Sequence, residues 1–392
     1  MLLHIAEDEK FIDTIIKNLE LINPGENIFL INVPSKDYQL KYISNKNVIC
    51  ATYGSSEYEE YLNKYKNANA IVFHSLIQRY KWYILKSLPS SAKKVWIAWG
   101  ADLYGSAKLT NTFYKPLTRK HRRRMQKATS TLKGPFKDML FDLGFLVPLT
   151  WRVKFKINDN IQNYFNYIDY LCPVIYEDYL LIKKHYPKTP FKYLQFSYNV
   201  DDSLFSNINQ PITSGNNIIV GNSASPVNNH LDAFELLKTV KLKSDQKVIV
   251  PLSYGGDKLY IDAVLEYGEK YFKRNFMPIM NFLPQKDYQI ILESVGFGFF
   301  NSLRQHAMGN IYTLLFMGAK VFIDEKNPSH SFLKRNNLNF CSLNQTTDNL
   351  QKELEHPLSE KEIKNNRNFL FKEFETSNYE KKLGLFIEEL KK

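Results

Sequence analysis

Short apolar runs alternate with longer helix-forming segments along this chain, stop at one polar stretch, and then begin again. In the first half the runs are LLHIA, NIFLINV, NVICAT, AIVFHSL, KVWIAWG and YIDYLCPV. Most are separated by enough chain for a helix, a spacing that favours parallel strands joined by crossovers over hairpins. The stretch NVDDSLFSNINQPITSGNN, Asn199 to Asn217, breaks the pattern with turn-forming residues and reads as a linker. NIIVGN, KVIVPLSYG, FGFFNSL and KVFID then restart it.

At 392 residues the chain exceeds the roughly 250–300 that one hydrophobic core supports, so two domains are expected. The reading is an α/β protein of the GT-B architecture: two doubly wound, Rossmann-like domains with a cleft between them. Residues 1–200 would form the N-terminal domain and 216–392 the C-terminal domain, with the terminal helices packing back. A net charge of +12 points to an anionic partner. Three scattered cysteines argue against a disulfide framework. The N-terminus MLLHIAEDEKF carries acids by position 7 and is not expected to be a signal peptide. No run approaches the roughly 18 apolar residues of a membrane span.

Chemistry concentrates at strand ends, where an open α/β sheet receives its ligands. IIVGNSASPVNNHLDAF ends a strand at Val220. Gly221 there permits close backbone approach, Asn222 and Ser223 supply hydrogen bonds, and Asn229 or Asn228 is placed to cap the next helix. A second polar end contributes Ser253, Tyr254 and Tyr260, the tyrosines being candidates to stack on a base. A third, NSLRQHAMGN, holds Arg304, Gln305, His306, Gly309 and Asn310 before an apolar helix, a cradle suited to a diphosphate. Each alone reads equally well as an ordinary strand-to-helix turn. Neither a Walker loop nor GxGxxG occurs, which disfavours ATPase and dehydrogenase readings.

The blocks WIAWGADLYG, IIVGNSASPVNNHLDAFELLK, VIVPLSYGGDKLYIDAV and FLPQKDYQIILESVGFGFFNSLRQHAMGNIYTLLFMGAKVFIDEKNP resemble, in the same order, glycosyltransferase family 56. That resemblance implies inverting, metal-independent transfer of 4-acetamido-4,6-dideoxygalactose from a dTDP-sugar to a polyprenyl-diphosphate-linked saccharide. It places the protein peripherally at the cytoplasmic face of a bacterial inner membrane, without a cofactor. The donor would meet the second-domain residues above. The general base would come from the first domain, where Asp102 of Gly100-Ala101-Asp102 and His74 are the candidates. Asp102 also reads as a turn-capping residue and His74 as a satisfied core histidine. Another donor or acceptor on the same fold, or a non-catalytic binding protein built on it, remains open.

One segment exceeds the family pattern. Within about 106–158, Arg119, Lys120, Arg122, Arg123 and Arg124 precede an apolar stripe that includes Phe136 and Leu140. Basic residues beside such a stripe are the signature of a segment that lies on an anionic membrane surface, and the segment reads as an insertion in the N-terminal domain. A solvated basic face is the plainer alternative. Nucleic-acid binding is not expected, because no RNA- or DNA-binding motif accompanies the charge.

Overall fold

Strands that are apolar on both sides need cover on both faces, and each half of the chain meets that need with a wholly parallel sheet. The computed structural model describes residues 1–105, 110–129, 161–196, 205–209, 212, 215–344 and 347–392. It divides into two compact units. The first comprises Met1–Thr110, Asn160–Ser206 and Lys372–Lys392. Its strands are β1 (Leu2–Glu7), β2 (Asn27–Asn32), β3 (Ile49–Ala51), β4 (Ala70–His74), β5 (Lys93–Ile97), β6 (Tyr170–Cys172) and β7 (Lys192–Tyr193), in the order β3-β2-β1-β4-β5-β6-β7. The last helix, Thr376–Lys391, packs Tyr379, Leu383, Phe386, Ile387 and Leu390 into this unit's core beside Ile12, Ile16 and Leu19.

The second unit comprises Asn111–Asp159, of which 111–129 are described, and Asn207–Phe371. Its strands are β8 (Asn217–Val220), β9 (Val248–Pro251), β10 (Phe276–Ile279), β11 (Val295–Phe300), β12 (Lys320–Ile323) and β13 (Cys341–Ser342), ordered β10-β9-β8-β11-β12-β13. Both orders reverse direction once, between β1 and β4 in one sheet and between β8 and β11 in the other. Such switch points open a crevice at the carboxyl ends of the strands. Strand β10 was not anticipated from the sequence. Pro278 interrupts its apolar run, and it is tolerated because β10 lies at the sheet edge.

The basic segment needs correction. Its described part forms the helix Pro116–Thr129, and this helix belongs to the second unit, not the N-terminal domain. The cause is Asp232, whose carboxylate accepts from the backbone N–H groups of Leu117 and Thr118, both at 2.9 Å, and from Thr118 Oγ1 at 2.7 Å. An acid there satisfies orphan donors at a helix start and complements the dipole. Lys115, just ahead of the helix, donates its N–H to Asn229 Oδ1 at 2.9 Å and pairs its ammonium with Asp324 at 2.6 Å. Leu117 and Met125 pack on the second core.

Asp102 answers the question its sequence raises. Strand β5 ends at Ile97, Gly100 turns the chain at φ +85°, and the carboxylate folds back on the strand it follows. Oδ2 accepts from Leu76 N at 2.8 Å and Trp96 Nε1 at 2.7 Å. Oδ1 accepts from Trp99 N at 2.9 Å and Leu103 N at 3.0 Å. With four donors on a buried carboxylate, the acid ties the loops after β4 and β5 together. It is a structural aspartate.

Two stability predictions follow from these carboxylates. Asp232→Ala should lower the unfolding free energy by about 1–2 kcal/mol in urea titration, as lost helix caps do. No change would mean that Leu117 and Met125 alone hold the helix. Asp102→Asn places an NH2 group against N–H donors and should cost on the order of 3 kcal/mol, with the specific activity of the folded fraction retained. Full stability with lost activity would return the residue to a chemical role.

Candidate functional site

The first sheet's switch point lies at the carboxyl ends of β1 and β4, and most polar groups there are already engaged. His74 is wholly buried in β4. His4 Nε2 stands 3.4 Å from Asn27 Oδ1, so it carries that ring's proton. His4 Nδ1 must then accept from His74 Nε2, 3.1 Å away, which leaves His74 Nδ1 as an enclosed, unpartnered acceptor. Burial holds His74 well below the usual histidine range, with His4 and Lys81 adding to the shift. His74, a base candidate in the sequence, is therefore enclosed in the core.

The loop after β1 divides its acids by task. Glu7 accepts from Tyr80 Oη and Lys81 Nζ, both at 2.6 Å, and Lys81 is fully buried with its remaining protons on the His74 and Ser75 carbonyls. Asp8 receives the N–H groups of Lys41, Tyr42 and Ile43, and Asp13 those of Ser44 and Asn45. Glu9 is the exception. Its exposed carboxylate has no hydrogen-bond or ion-pair partner among the described residues. Partial burial raises its pKa above the ordinary carboxylate value, helped by the charges of Glu7 and Asp8. Beside it Phe11, 55% exposed, meets Trp99 edge-on at 6.3 Å. Sequence reading passed over Glu9 because three acids in four residues look like a solvated turn.

The second switch point lies at the ends of β8 and β11. Gly221, at φ +69°, is required there, since a Cβ would sit 2.9 Å from His230 Nε2. Asn222 donates to Tyr254 Oη at 3.3 Å while its own Oδ1 is buried without a partner. Tyr254 is 53% exposed and is the tyrosine available for stacking. Ser253 is half-buried on the same loop. After β11, Arg304 and His306 are half-buried and Gln305 is buried, and Ala307 takes the left-handed conformation at φ +61° to start the helix Met308–Met317. No side chain caps that helix. Gly309 is exposed, with no atom within 4 Å of where a Cβ would stand, and Asn310 donates to Tyr288 Oη at 2.7 Å.

Three residues expected at a donor lie in the interior instead. Tyr260 is completely buried, its hydroxyl 3.2 Å from both His230 N and Nδ1, so it cannot stack on a base. Asn229 is also fully buried. Its Nδ2 reaches the carbonyls of Phe113, Val227 and Asn301, each at 3.1 Å, and its side chain does not cap the helix that follows. Ser223 accepts from Asn228 Nδ2 through its carbonyl at 2.8 Å and lies 1% exposed. All three side chains are buried in the second unit.

On the helix Pro116–Thr129, Arg119, Lys120, Arg123 and Arg124 are exposed, and none has a carboxylate partner among the described residues. Arg122 instead lies over the Tyr114 ring at 4.0 Å. Phe136 and Leu140 lie outside the described residues. No described helix is long and apolar enough to cross a membrane.

Solved structures share this fold at low identity. A glycosyltransferase from Rickettsia africae is 13% identical, with a TM-score of 0.63 over 100% of this chain and 98% of that one. A trehalose-6-phosphate structure from E. coli, bound with UDP-2-fluoro glucose, is 11% identical, with a TM-score of 0.60 over 100% and 99% of the two chains. WaaG, a glycosyltransferase involved in lipopolysaccharide biosynthesis, is 9% identical at a TM-score of 0.50 over 100% and 98%. They show the GT-B fold. A family model described as 4-alpha-L-fucosyltransferase, glycosyl transferase group 56, matches residues 174–377, from the end of β6 through every strand of the second sheet. That span is more than half of the sequence, and the chain belongs to glycosyl transferase group 56.

Proposed function

We propose that this glycosyltransferase is inverting and metal-independent. In this reading it moves a 4-acetamido-4,6-dideoxyhexose from a dTDP-sugar to a polyprenyl-diphosphate-linked saccharide. The observation that carries the proposal is the second switch point. There the half-buried Asn222 follows β8, and Arg304 and an uncapped helix start follow β11, where doubly wound sheets receive nucleotides. Tyr254 would lie on the base and Arg304 would balance the diphosphate charge. Because Asp102 and His74 are engaged in the fold, the general base passes to Glu9.

The chemistry follows from those roles. The Glu9 carboxylate takes the proton of the acceptor hydroxyl as its oxygen bonds to the anomeric carbon. The bond from that carbon to the diphosphate breaks, and dTDP leaves with the electron pair. A single displacement inverts the anomeric centre. Phe11 and Trp99 offer apolar faces to the acceptor sugar beside the base.

A panel of dTDP- and UDP-sugars assayed in EDTA with a lipid-linked acceptor tests this directly. Acceptor-dependent release of dTDP from the 4-acetamido-4,6-dideoxyhexose donor is expected. Preference for a UDP-sugar would reassign the donor, and absence of turnover with any donor would leave a binding protein. Glu9→Gln should lower kcat about 10²–10⁴-fold with little change in donor affinity. A base acts only when ionised, so the raised pKa of Glu9 should shift the acid limb of kcat/KM above the ordinary carboxylate range. Turnover within threefold of native would place the base elsewhere.

Peripheral attachment at the cytoplasmic face of an inner membrane is supported by the exposed cations of the helix Pro116–Thr129. Each basic residue near an anionic bilayer contributes about 1 kcal/mol. Replacing Arg119, Lys120, Arg123 and Arg124 with Gln should reduce co-sedimentation with anionic vesicles, as should high salt. Undiminished binding by the variant would make this face a solvated surface.

A further inference from the structure

At the second switch point, three buried polar atoms from three separate elements lack partners among the described residues: Asn222 Oδ1 after β8, His230 Nε2 on the helix His230–Leu237, and His306 Nε2 after β11. A buried polar atom left unpaired costs about 1–3 kcal/mol, so several at one sheet edge signal a ligand. His230 is wholly buried, and its Nε2 lies beside Gly221, where an added Cβ would stand 2.9 Å from it. His306 immediately precedes Ala307, whose strained left-handed backbone launches the uncapped helix. Gly309 leaves the approach to that helix open.

We propose that His306, with His230 behind it, recognises the diphosphate of the nucleotide sugar, and that one proton enters the site together with the diphosphate. The inference rests on the donor reading above and adds to it two residues and a proton count. Without ligand, burial pushes each imidazole down to about 3, and Arg304 and His230 further disfavour a charge on His306. Facing the pair are Arg304 on the same loop and Tyr260 from the helix Lys258–Phe272. Beyond that phenol stand His121 and Arg122 of the helix Pro116–Thr129 and Asp232. Asp232 already holds the start of that helix. The diphosphate would therefore be the anion that brings the imidazole pair into its charged, doubly donating form.

The test uses the full chain in EDTA, titrated calorimetrically with inorganic pyrophosphate and with dTDP between pH 6.5 and 8.5. His306→Gln should bind both ligands about 10–100-fold more weakly at the low end. The ratio of native to variant affinity should shrink as pH rises, a comparison in which the ligand's own ionisation cancels. If the variant binds too weakly to measure, that loss supports recognition, and native heats in two buffers of different ionisation enthalpy count the proton. A ratio that is flat with pH or within twofold of unity, native binding without proton uptake, or no native binding of pyrophosphate would overturn the proposal. His230→Gln is a second arm, with a thermal melt to show that it folds. Should pyrophosphate bind with proton uptake while dTDP gains nothing over UDP, the donor assignment fails and the histidine proposal stands.

Discussion

A parallel sheet covered on both faces leaves its strands no face on which to display chemistry. In both units the central strands are buried on each side, from Leu2 to Ala6 in β1 and from Val295 to Phe300 in β11. Reactive groups can therefore appear only where strands end, and the carboxyl ends spread apart only where the strand order reverses. Glu9 and the Arg304–His306 loop occupy those two places. The polarity of the sheet thus decides where a substrate can meet the chain before any single residue does.

Within that constraint, carboxylates divide into those that hold the backbone and those left accessible. Asp102 gathers four N–H groups, Asp8 three, and Asp232 two with a hydroxyl. Each stabilises a loop or helix start whose donors would otherwise be unpaired. A carboxylate so surrounded has few lone pairs or none left for an incoming proton, so the acids best fixed by the fold are the least available to chemistry. Glu9 has the opposite character: exposure, like-charged neighbours and no hydrogen-bond or ion-pair partner among the described residues.

The two-sheet architecture was legible in the sequence because strand-length apolar runs and helical segments alternate in both halves. Pro278 hid β10, since an edge strand can omit one N–H without leaving a ladder bond unmade, and composition does not reveal which strand lies at the edge. The position of the Arg119–Arg124 helix was equally hidden, because the acid that seats it, Asp232, lies 114 residues from Thr118 in sequence. Tyr254 and Tyr260 show the same limit at the site. Both follow β9 and are indistinguishable by type, yet Asp257 caps the helix between them and turns Tyr260 inward while Tyr254 stays on the exposed loop. The alternatives for Asp102 and His74 stay open in the sequence for one reason: a polar residue at a strand end looks identical there whether neighbouring N–H groups use it or a substrate does.

The cations are also divided. Four basic side chains of the helix Pro116–Thr129 stand in solvent, whereas the second switch point has Arg304 beside two imidazoles that burial pushes toward the neutral form. Exposed charge acts over a Debye length and weakens with salt; enclosed groups act at contact and are screened far less. Separating the two lets attraction to an anionic surface vary without altering the recognition of a diphosphate. Imidazoles that become charged only with a diphosphate make discrimination between anions depend on the ligand's own charge and reach.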